Sequence, residues 1–207
     1  MFAKRLFDVV VSALALIILS PLLIAAALAI RLTMGSPVFF RQLRPGLHCR
    51  PFEVIKFRTM TPDEGKGGVA SDAQRLTRLG RLLRSSAVDE LPELWNVLKG
   101  DMSLVGPRPL LMQYLERYSP EQARRHDVRP GLTGWAQAHG RNLIDWEERF
   151  AMDVWYVDNW SFALDMKVLA MTAWTIVTRK GVAAEGSATM HEFMGAAAKV
   201  EPQAKAE

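Results

Sequence analysis

Two adjacent acids, Asp89 and Glu90, lie in the stretch VDELPELWNVLKGDMSLVGPRP, residues 88–109. Neighbouring carboxylates repel each other, and each raises the pKa of the other unless a cation lies between them. A divalent metal would supply that cation, and Arg108, held between two prolines, is suited to bidentate binding of phosphate. This combination predicts chemistry on a phosphoryl or phosphosugar group. The alternative is that the acids only open a helix, where they complement the N-terminal dipole.

Further charged residues are candidates for the same site. The segment 52–58 alternates apolar and charged residues, which is typical of a half-buried strand. We expect it to place Glu53 at an edge of the site, as a second metal ligand beside Asp89, together with Lys56 and Arg58 as phosphate-binding residues. The alternative is an ordinary strand with a solvated face. Arg84 ends a basic segment that leads directly to the acid pair.

The site must be positioned near a hydrophobic segment at the N-terminus. Residues 9–30 carry no charge and are long enough to reach across the hydrocarbon core of a bilayer. Ser20-Pro21 falls at the middle, where proline kinks a helix, and basic residues flank both ends. The positive-inside rule then favours both ends on the cytoplasmic side. We expect a re-entrant membrane helix broken at Ser20-Pro21; a straight anchor and a cleaved signal peptide are the alternatives.

The rest of the chain predicts an α+β fold that is mostly helical with a small β element. Residues 74–84 form a basic amphipathic helix, and 145–180 form amphipathic helices whose tryptophans suit the depth of lipid headgroups. The alternatives are a solvated basic face on a soluble helix and tryptophans that lie in an ordinary core. A helix containing the acid pair is expected to be capped by Ser85 or Ser86 and to end at Gly100. Its predicted buried stripe consists of Leu91, Leu94, Trp95 and Leu98. Segment 110–127 carries another helical pattern.

We predict three regions: a re-entrant membrane helix at 1–33, a cytoplasmic catalytic domain with interfacial helices at 34–195, and a flexible tail at 196–207. The loop 61–73 is polar and glycine-rich, which is typical of a mobile segment. The net charge of +4 fits an anionic partner, and the single Cys49 excludes an internal disulfide and a Cys-based zinc site.

Taken together, these segments resemble the monotopic phosphoglycosyl transferases, the bacterial sugar transferases that start membrane glycoconjugate assembly. The resemblance runs from about residue 2 to residue 194, and its C-terminal part is similar to the small members that initiate N-glycan-type assembly. The segments that carry it are Ser20-Pro21, FFRQLRPG (39–46), KFRTM (56–60), VDELPELWNVLKGDMSLVGPRP (88–109), RPGLTGWAQAHGRN (129–142) and EGSATMHEFMG (185–195). The extra N-terminal membrane helices of the large members are missing, so we expect a minimal catalytic unit.

The resemblance implies transfer of a phosphosugar from a UDP-sugar to polyprenyl (undecaprenyl) phosphate, with release of UMP. It implies a ping-pong mechanism through a covalent phosphosugar on Asp89, with Mg²⁺ as cofactor and Glu90 as the second acid of the dyad. It favours an N-acetylated amino sugar and adds Arg129 and Arg141 as candidate phosphate-binding residues. The expected location is the cytoplasmic face of the bacterial inner membrane.

Two other functions remain open from the sequence. A non-catalytic membrane-surface adaptor would need the same hydrophobic and basic segments, but it leaves the acid pair and Arg108 unexplained. A membrane phosphatase or hydrolase could pass its phosphoryl group to water instead of a lipid. Nucleic acid is not an expected partner, because the chain has no recognisable nucleic-acid-binding motif. Membrane lipids are expected partners, and a homodimer is compatible with the sequence.

Overall fold

The computed structural model describes residues 2–61, 74–139, 144–178 and 192–195. It opens with two helices, α1 (Phe2–Ile18) and α2 (Ser20–Met34), that are bent relative to each other by 61°. Pro21 lies in the first turn of α2, and the Ser20 hydroxyl donates to the carbonyl of Ile17 at 2.7 Å. The predicted break is confirmed, and the hydroxyl satisfies a carbonyl that the break frees. Within the described ranges, no helix can cross a membrane by itself, but this bent pair has the necessary combined length and composition.

One face of α1 is polar and docks on the rest of the protein. Lys4 donates to the Asp165 carboxylate and to the carbonyl of Val105, while Asp8 accepts from the backbone N–H of Leu104 at 3.1 Å. Arg5 donates to two carbonyls at the end of a later helix. The opposite faces of α1 and α2 leave large apolar side chains exposed: Phe2, Leu6, Val10, Leu14, Ile17, Ile18, Leu22, Ile24, Leu28 and Leu32.

Two small sheets follow. Strands β1 (Phe39–Pro45) and β2 (Pro51–Phe57) form an antiparallel hairpin in which Phe39 lies opposite Phe57. The other sheet pairs β3 (Ser103–Val105) in parallel with β4 (Gly131–Thr133). The helices are α3 (Arg78–Ser85), α4 (Glu93–Lys99), α5 (Pro120–Ala123), α6 (Trp135–His139), α7 (Trp146–Asp158) and α8 (Phe162–Thr178), and 3₁₀ turns occupy Leu47–Cys49, Val88–Glu90, Met112–Arg117 and Arg124–His126.

The apolar core has parts on both sides of β2. The main cluster is formed by Phe52, Val54, Leu94, Val97, Met102, Leu104, Val105, Tyr156 and Val168, and apolar residues of α1 pack against it. A smaller cluster joins α2 to the end of β2 and to α3 through Ala26, Ile30, Phe57 and Leu83. Val88, directly before the acid pair, packs against this smaller cluster, so the turn that carries Asp89 shares an apolar cluster with α2.

The predicted α+β class, mostly helical with small sheets, is confirmed, but several local predictions are wrong. Ser85 and Ser86 do not cap the next helix, since both hydroxyls bond to the carbonyl of Leu82 at the end of α3. Trp95 is 51% exposed and does not belong to a buried stripe. Gly100 does end α4, in the left-handed conformation with φ 98°.

The basic helix begins at Arg78 with Thr77 as its cap, later than predicted. Segment 110–127 forms the short helix α5 between two 3₁₀ turns instead of one long helix, while 145–180 contains α7 and α8. The predicted mobile loop, except Thr61, and the predicted tail lie outside the described residues. The boundaries of the three predicted regions stay predictions.

Candidate functional site

The acid pair lies on the 3₁₀ turn Val88–Glu90, between the end of α3 and the start of α4. Ala87 precedes it with φ 56°, a left-handed conformation that a residue with a Cβ rarely adopts. This conformation turns the chain between the end of α3 and the acid pair. The Asp89 side chain is buried, with 9% of the residue exposed. Among the residues that the structure describes, none donates a hydrogen bond to its carboxylate. Asp89 is therefore a buried acid that is free to bind or attack.

Electrostatics around Asp89 set its protonation. Burial raises the pKa of the Asp89 carboxyl above its ordinary value, and the negative charge of Glu90 raises it further. Lys56, Arg84 and Arg108 oppose this shift through their positive charges but do not cancel it. A further cation at Asp89, such as a metal ion, would therefore favour the ionised form.

Glu90 organises two of these cations. Its carboxylate accepts from Arg108 at 2.6 Å and from Lys56 at 2.7 Å. Burial would raise the pKa of Glu90, but the charges and hydrogen bonds of Arg108 and Lys56 outweigh it and hold that pKa well below its usual range. Glu90 is consequently ionised at neutral pH, and it holds Lys56 and Arg108 in the vicinity of Asp89.

A third carboxylate, Glu93, was missed by the sequence analysis. It opens α4, is buried, and lies 2.9 Å from the Lys56 ammonium, which it shares with Glu90. Burial raises the pKa of Glu93, and the charge of Glu90 adds to the rise against the opposing effect of Lys56. The signal was its position three residues after Glu90, because residues three apart lie on one face of a helix.

Arg108 is held by its main chain as well as by Glu90. The buried Arg125 donates to the Arg108 carbonyl at 2.8 Å, a contact that sequence analysis did not identify. The backbone before Arg108 is also tightly packed: a Cβ on Gly131 would lie 2.1 Å from the nitrogen of Gly106. Arg84 is half-buried and donates to the Thr59 hydroxyl at 3.1 Å.

Other predicted site residues lie elsewhere. Glu53 faces away from Lys56 because the two are an odd number of residues apart on β2, and it forms a half-exposed ion pair with Arg41 at 3.0 Å. Glu53 is therefore a poor candidate for a ligand of the same metal as Asp89. Arg58 is buried and donates to the carbonyls of Gly35 and Ser36, where it closes the end of α2 instead of facing a substrate.

Arg129 is also displaced from the acid pair. It donates to the carbonyl of Gly100, at the end of α4 opposite to Glu93. Arg141 lies outside the described residues. The structure thus brings together Asp89, Glu90, Lys56, Arg84 and Arg108. In the described ranges, no group of three His, Cys, Asp or Glu side chains could hold a metal ion.

Known proteins are similar to this chain over all of the elements that carry the site. A family model described as bacterial sugar transferase matches residues 1–179, from α1 through α8. A Bacillus subtilis protein named uncharacterized sugar transferase EpsL is 53% identical over 196 residues, covering 94% of this chain and 97% of that protein.

Two further relatives have names that state a reaction. A Caulobacter vibrioides UDP-glucose:undecaprenyl-phosphate glucose-1-phosphate transferase is 44% identical over 186 residues, covering 84% of this chain and 70% of that protein. An Aeromonas hydrophila UDP-N-acetylgalactosamine-undecaprenyl-phosphate N-acetylgalactosaminephosphotransferase is 39% identical over 189 residues, covering 87% of this chain and 45% of that protein. These two names share the lipid acceptor and differ in the sugar.

Proposed function

This chain belongs to the bacterial sugar transferase family and is a phosphoglycosyl transferase, and we propose that it moves a sugar 1-phosphate from a UDP-sugar to undecaprenyl phosphate. UMP is the leaving product, and a diphosphate-linked lipid sugar is formed. The observation that supports this function most directly is the buried Asp89 carboxylate, which lies near three cations and accepts no hydrogen bond from the residues that the structure describes. The sugar is proposed to be an N-acetylated amino sugar, and glucose is the first competitor to test because a relative is named for it.

The proposed reaction has two displacement steps at one phosphorus atom. In the first step, an Asp89 oxygen forms a bond to the phosphorus that carries the sugar, and the bond from that phosphorus to the bridging oxygen breaks, so that UMP leaves. In the second step, a phosphate oxygen of the lipid attacks the same phosphorus, and the acyl phosphate bond to Asp89 breaks. An ionised carboxylate needs no base to become a nucleophile, which suits Asp89 to the first step.

The neighbouring side chains have complementary roles. Lys56 and Arg108 are the cations closest to Glu90, and we propose that they bind the phosphate oxygens of the donor. Glu90 keeps both in place before the substrate arrives, so that little reorganisation is needed during reaction. Arg84 also contributes positive charge near Asp89.

Mg²⁺ is the proposed cofactor, held by the Asp89 carboxylate and the diphosphate of the donor. The residues present fit this ion, since Mg²⁺ is commonly bound by one or two carboxylates together with substrate phosphates. When bound, it would neutralise charge on the diphosphate and on the leaving UMP. Removal of Mg²⁺ is therefore expected to abolish UMP release without unfolding the protein.

We also propose that α1 and α2 form a re-entrant element at the cytoplasmic face of the bacterial inner membrane. Both helices dock on the catalytic part along one face and expose apolar side chains along the other. A helix that crossed the bilayer would have ends about 30 Å apart across the hydrocarbon core. A shallow element instead holds the acid pair close to the headgroup of a lipid phosphate acceptor.

The function is tested by UMP release in nanodiscs from UDP-glucose, UDP-galactose, UDP-N-acetylglucosamine and UDP-N-acetylgalactosamine, with Mg²⁺ and with or without undecaprenyl phosphate. Wild type is compared with Asp89→Asn and with Glu53→Gln, a matched acid-to-amide change on the other face of β2. We expect multiple turnovers only with the lipid, no UMP from Asp89→Asn, and near-normal rates from Glu53→Gln. Without the lipid, intact mass should show one sugar phosphate added to wild type, and peptide mapping should place it on the peptide that contains Asp89.

Three results would contradict this proposal in different ways. No UMP from any donor, with the protein folded and membrane-bound, would favour the adaptor function. Repeated turnover to free sugar phosphate without the lipid would favour a hydrolase. Full activity of Asp89→Asn would remove Asp89 as the nucleophile even if the transfer itself occurs.

A further inference from the structure

Arg125 and Asp153 form a buried ion pair outside the acid-pair site. Only 2% of each residue is exposed. Arg125 lies on the turn Arg124–His126, and Asp153 lies on α7. The Arg125 Nη2 and Nε atoms donate to one oxygen of Asp153, at 2.6 and 3.1 Å. This ion pair therefore lies in the protein interior and cannot contact a substrate directly.

The same guanidinium also reaches the loop that carries Arg108. Its Nη2 donates to the Arg108 carbonyl at 2.8 Å, and its Nη1 donates to the Tyr118 hydroxyl at 3.3 Å. Arg108 is thus held at two points: its carbonyl is bound from the interior, and its side chain reaches Glu90 at 2.6 Å. The side chain of Arg108 is 35% exposed, so it can still meet a ligand.

A buried ion pair does not by itself explain why these residues are present. Apolar residues of similar volume often stabilise a protein as well as a buried pair does. They could not, however, supply a hydrogen bond to the Arg108 carbonyl. Asp153 fixes the plane of the Arg125 guanidinium, and that plane fixes where the peptide after Arg108 is held.

We propose that Arg125 and Asp153 are positioning residues for the transfer reaction, and that they act by holding the main chain of Arg108 so that its guanidinium is aligned with Glu90 and the donor phosphate. This inference rests on the proposed function of Arg108 in phosphate binding. If the Arg108 carbonyl loses its hydrogen bond from Arg125, the loop that carries Arg108 can shift while the fold remains. A misplacement of about 1 Å is enough to cost about 100-fold in rate.

The test uses two different replacements and one matched control. Arg125→Lys keeps the charge but loses the planar fork that serves Asp153 and the carbonyl together. The double variant Arg125→Met with Asp153→Leu removes the whole pair and keeps the volume apolar. Arg124→Lys is the control, because Arg124 is the adjacent arginine and also pairs with two acids, Glu121 and Asp158, but at the exposed surface.

Initial rates of UMP release, kcat and KM for the UDP-sugar, and thermal unfolding are measured for each variant. We expect a loss of about 100-fold in kcat/KM for Arg125→Lys and for the double apolar variant. The double variant should unfold within a few degrees of wild type, because its core remains filled. Arg124→Lys should retain the wild-type rate.

A double-mutant cycle separates positioning from general damage. If Arg125 acts through Arg108, Arg125→Lys should cost almost nothing further in an Arg108→Ala background. If the losses of the two variants multiply, or if the double apolar variant keeps the wild-type rate, the inference is overturned. Wild type and Asp89→Asn are run alongside, since loss of the Asp89 dependence would instead contradict the proposed function.

Discussion

Gly80 marks the closest approach between α3 and the chain that follows β2. A Cβ at Gly80 would lie 2.0 Å from the Thr59 carbonyl oxygen, 2.8 Å from its carbon and 3.0 Å from its Cα, and all three are backbone atoms that cannot rotate away. Gly80→Ala therefore requires α3 to recede by about 1.4 Å to reach ordinary contact at 3.4 Å. The same helix ends next to the acid pair and carries Arg84, which donates to the Thr59 hydroxyl.

The expected cost has two parts. Overpacking of a tightly packed site costs about 1–3 kcal/mol. The Thr77 cap, which accepts from the backbone of Gly80 at 2.9 Å and contacts the Thr59 carbonyl at 3.3 Å, contributes about 1 kcal/mol more if it is disturbed. A total of about 2–4 kcal/mol corresponds to a fall of about 4–16 °C in Tm for a chain of this size.

The assay is thermal unfolding in nanodiscs together with UMP release at a temperature where the variant is folded. We expect at least a 10-fold loss of rate, because the movement of α3 exceeds the tolerance of a positioned site. Gly35→Ala is the control for backbone strain without a clash: no described atom lies within 4 Å of its Cβ position, but φ 72° with ψ −158° is a conformation almost exclusive to glycine, so it should cost about 1–3 kcal/mol and leave the rate of UMP release near that of wild type. If Gly80→Ala is as stable and active as wild type, the close packing of α3 against Thr59 is refuted.

Three further predictions concern the anchoring of α1, a buried histidine and the bend between α1 and α2. Asp165→Asn removes the buried partner of Lys4 and should cost about 3 kcal/mol in unfolding by denaturant, whereas the exposed Asp158→Asn should cost less than 1 kcal/mol; equal effects would contradict the docking of α1. Burial and the charge of the adjacent arginine lower the pKa of His126 to about 4, so the unfolded chain takes up a proton first as the pH falls. The free energy of unfolding should therefore decrease by about 2–3 kcal/mol between pH 6.5 and pH 4 through this residue, and His126→Gln should lack this component in unfolding curves measured across that range. Pro21→Ala should straighten the α1–α2 bend and impair UMP release, and a cytoplasmic N-terminus with intact activity in this variant would count against the re-entrant element.

The parts of the fold that follow from local periodicity were predictable. The alternation of apolar and charged residues in 52–58 is the strand β2, and the helical patterns of 145–180 are α7 and α8. The break at Ser20-Pro21 and the end of α4 at Gly100 depend on the backbone chemistry of single residues, which is visible in any sequence. The exposure of Trp95 could not be predicted from the sequence, because it depends on which face of α4 packs against the core.

The site was predictable in its centre but not at its edges. Asp89, Glu90 and Arg108 lie within one segment, so their proximity needs little tertiary information. The odd spacing of Glu53 and Lys56 on a strand already shows that only one of them can face the acid pair, but which of the two does so depends on how β2 packs in the fold. The contacts of Arg58 with backbone carbonyls could not be predicted, because an arginine that binds carbonyls cannot be distinguished in the sequence from one that binds phosphate.

The docked polar face of α1 has a consequence for the order in which the molecule is assembled. Arg5 contacts a carbonyl 92 positions later in the chain, and Lys4 contacts a carboxylate 161 positions later. At a synthesis rate of about 5–20 residues per second, α1 waits about 5–18 seconds for the first partner and about 8–32 seconds for the second. During that interval α1 is without these two protein partners. If α1 and α2 form the proposed re-entrant element, α1 must stay within reach of the catalytic part until those partners are made, which a shallow position allows and a full crossing of the bilayer does not.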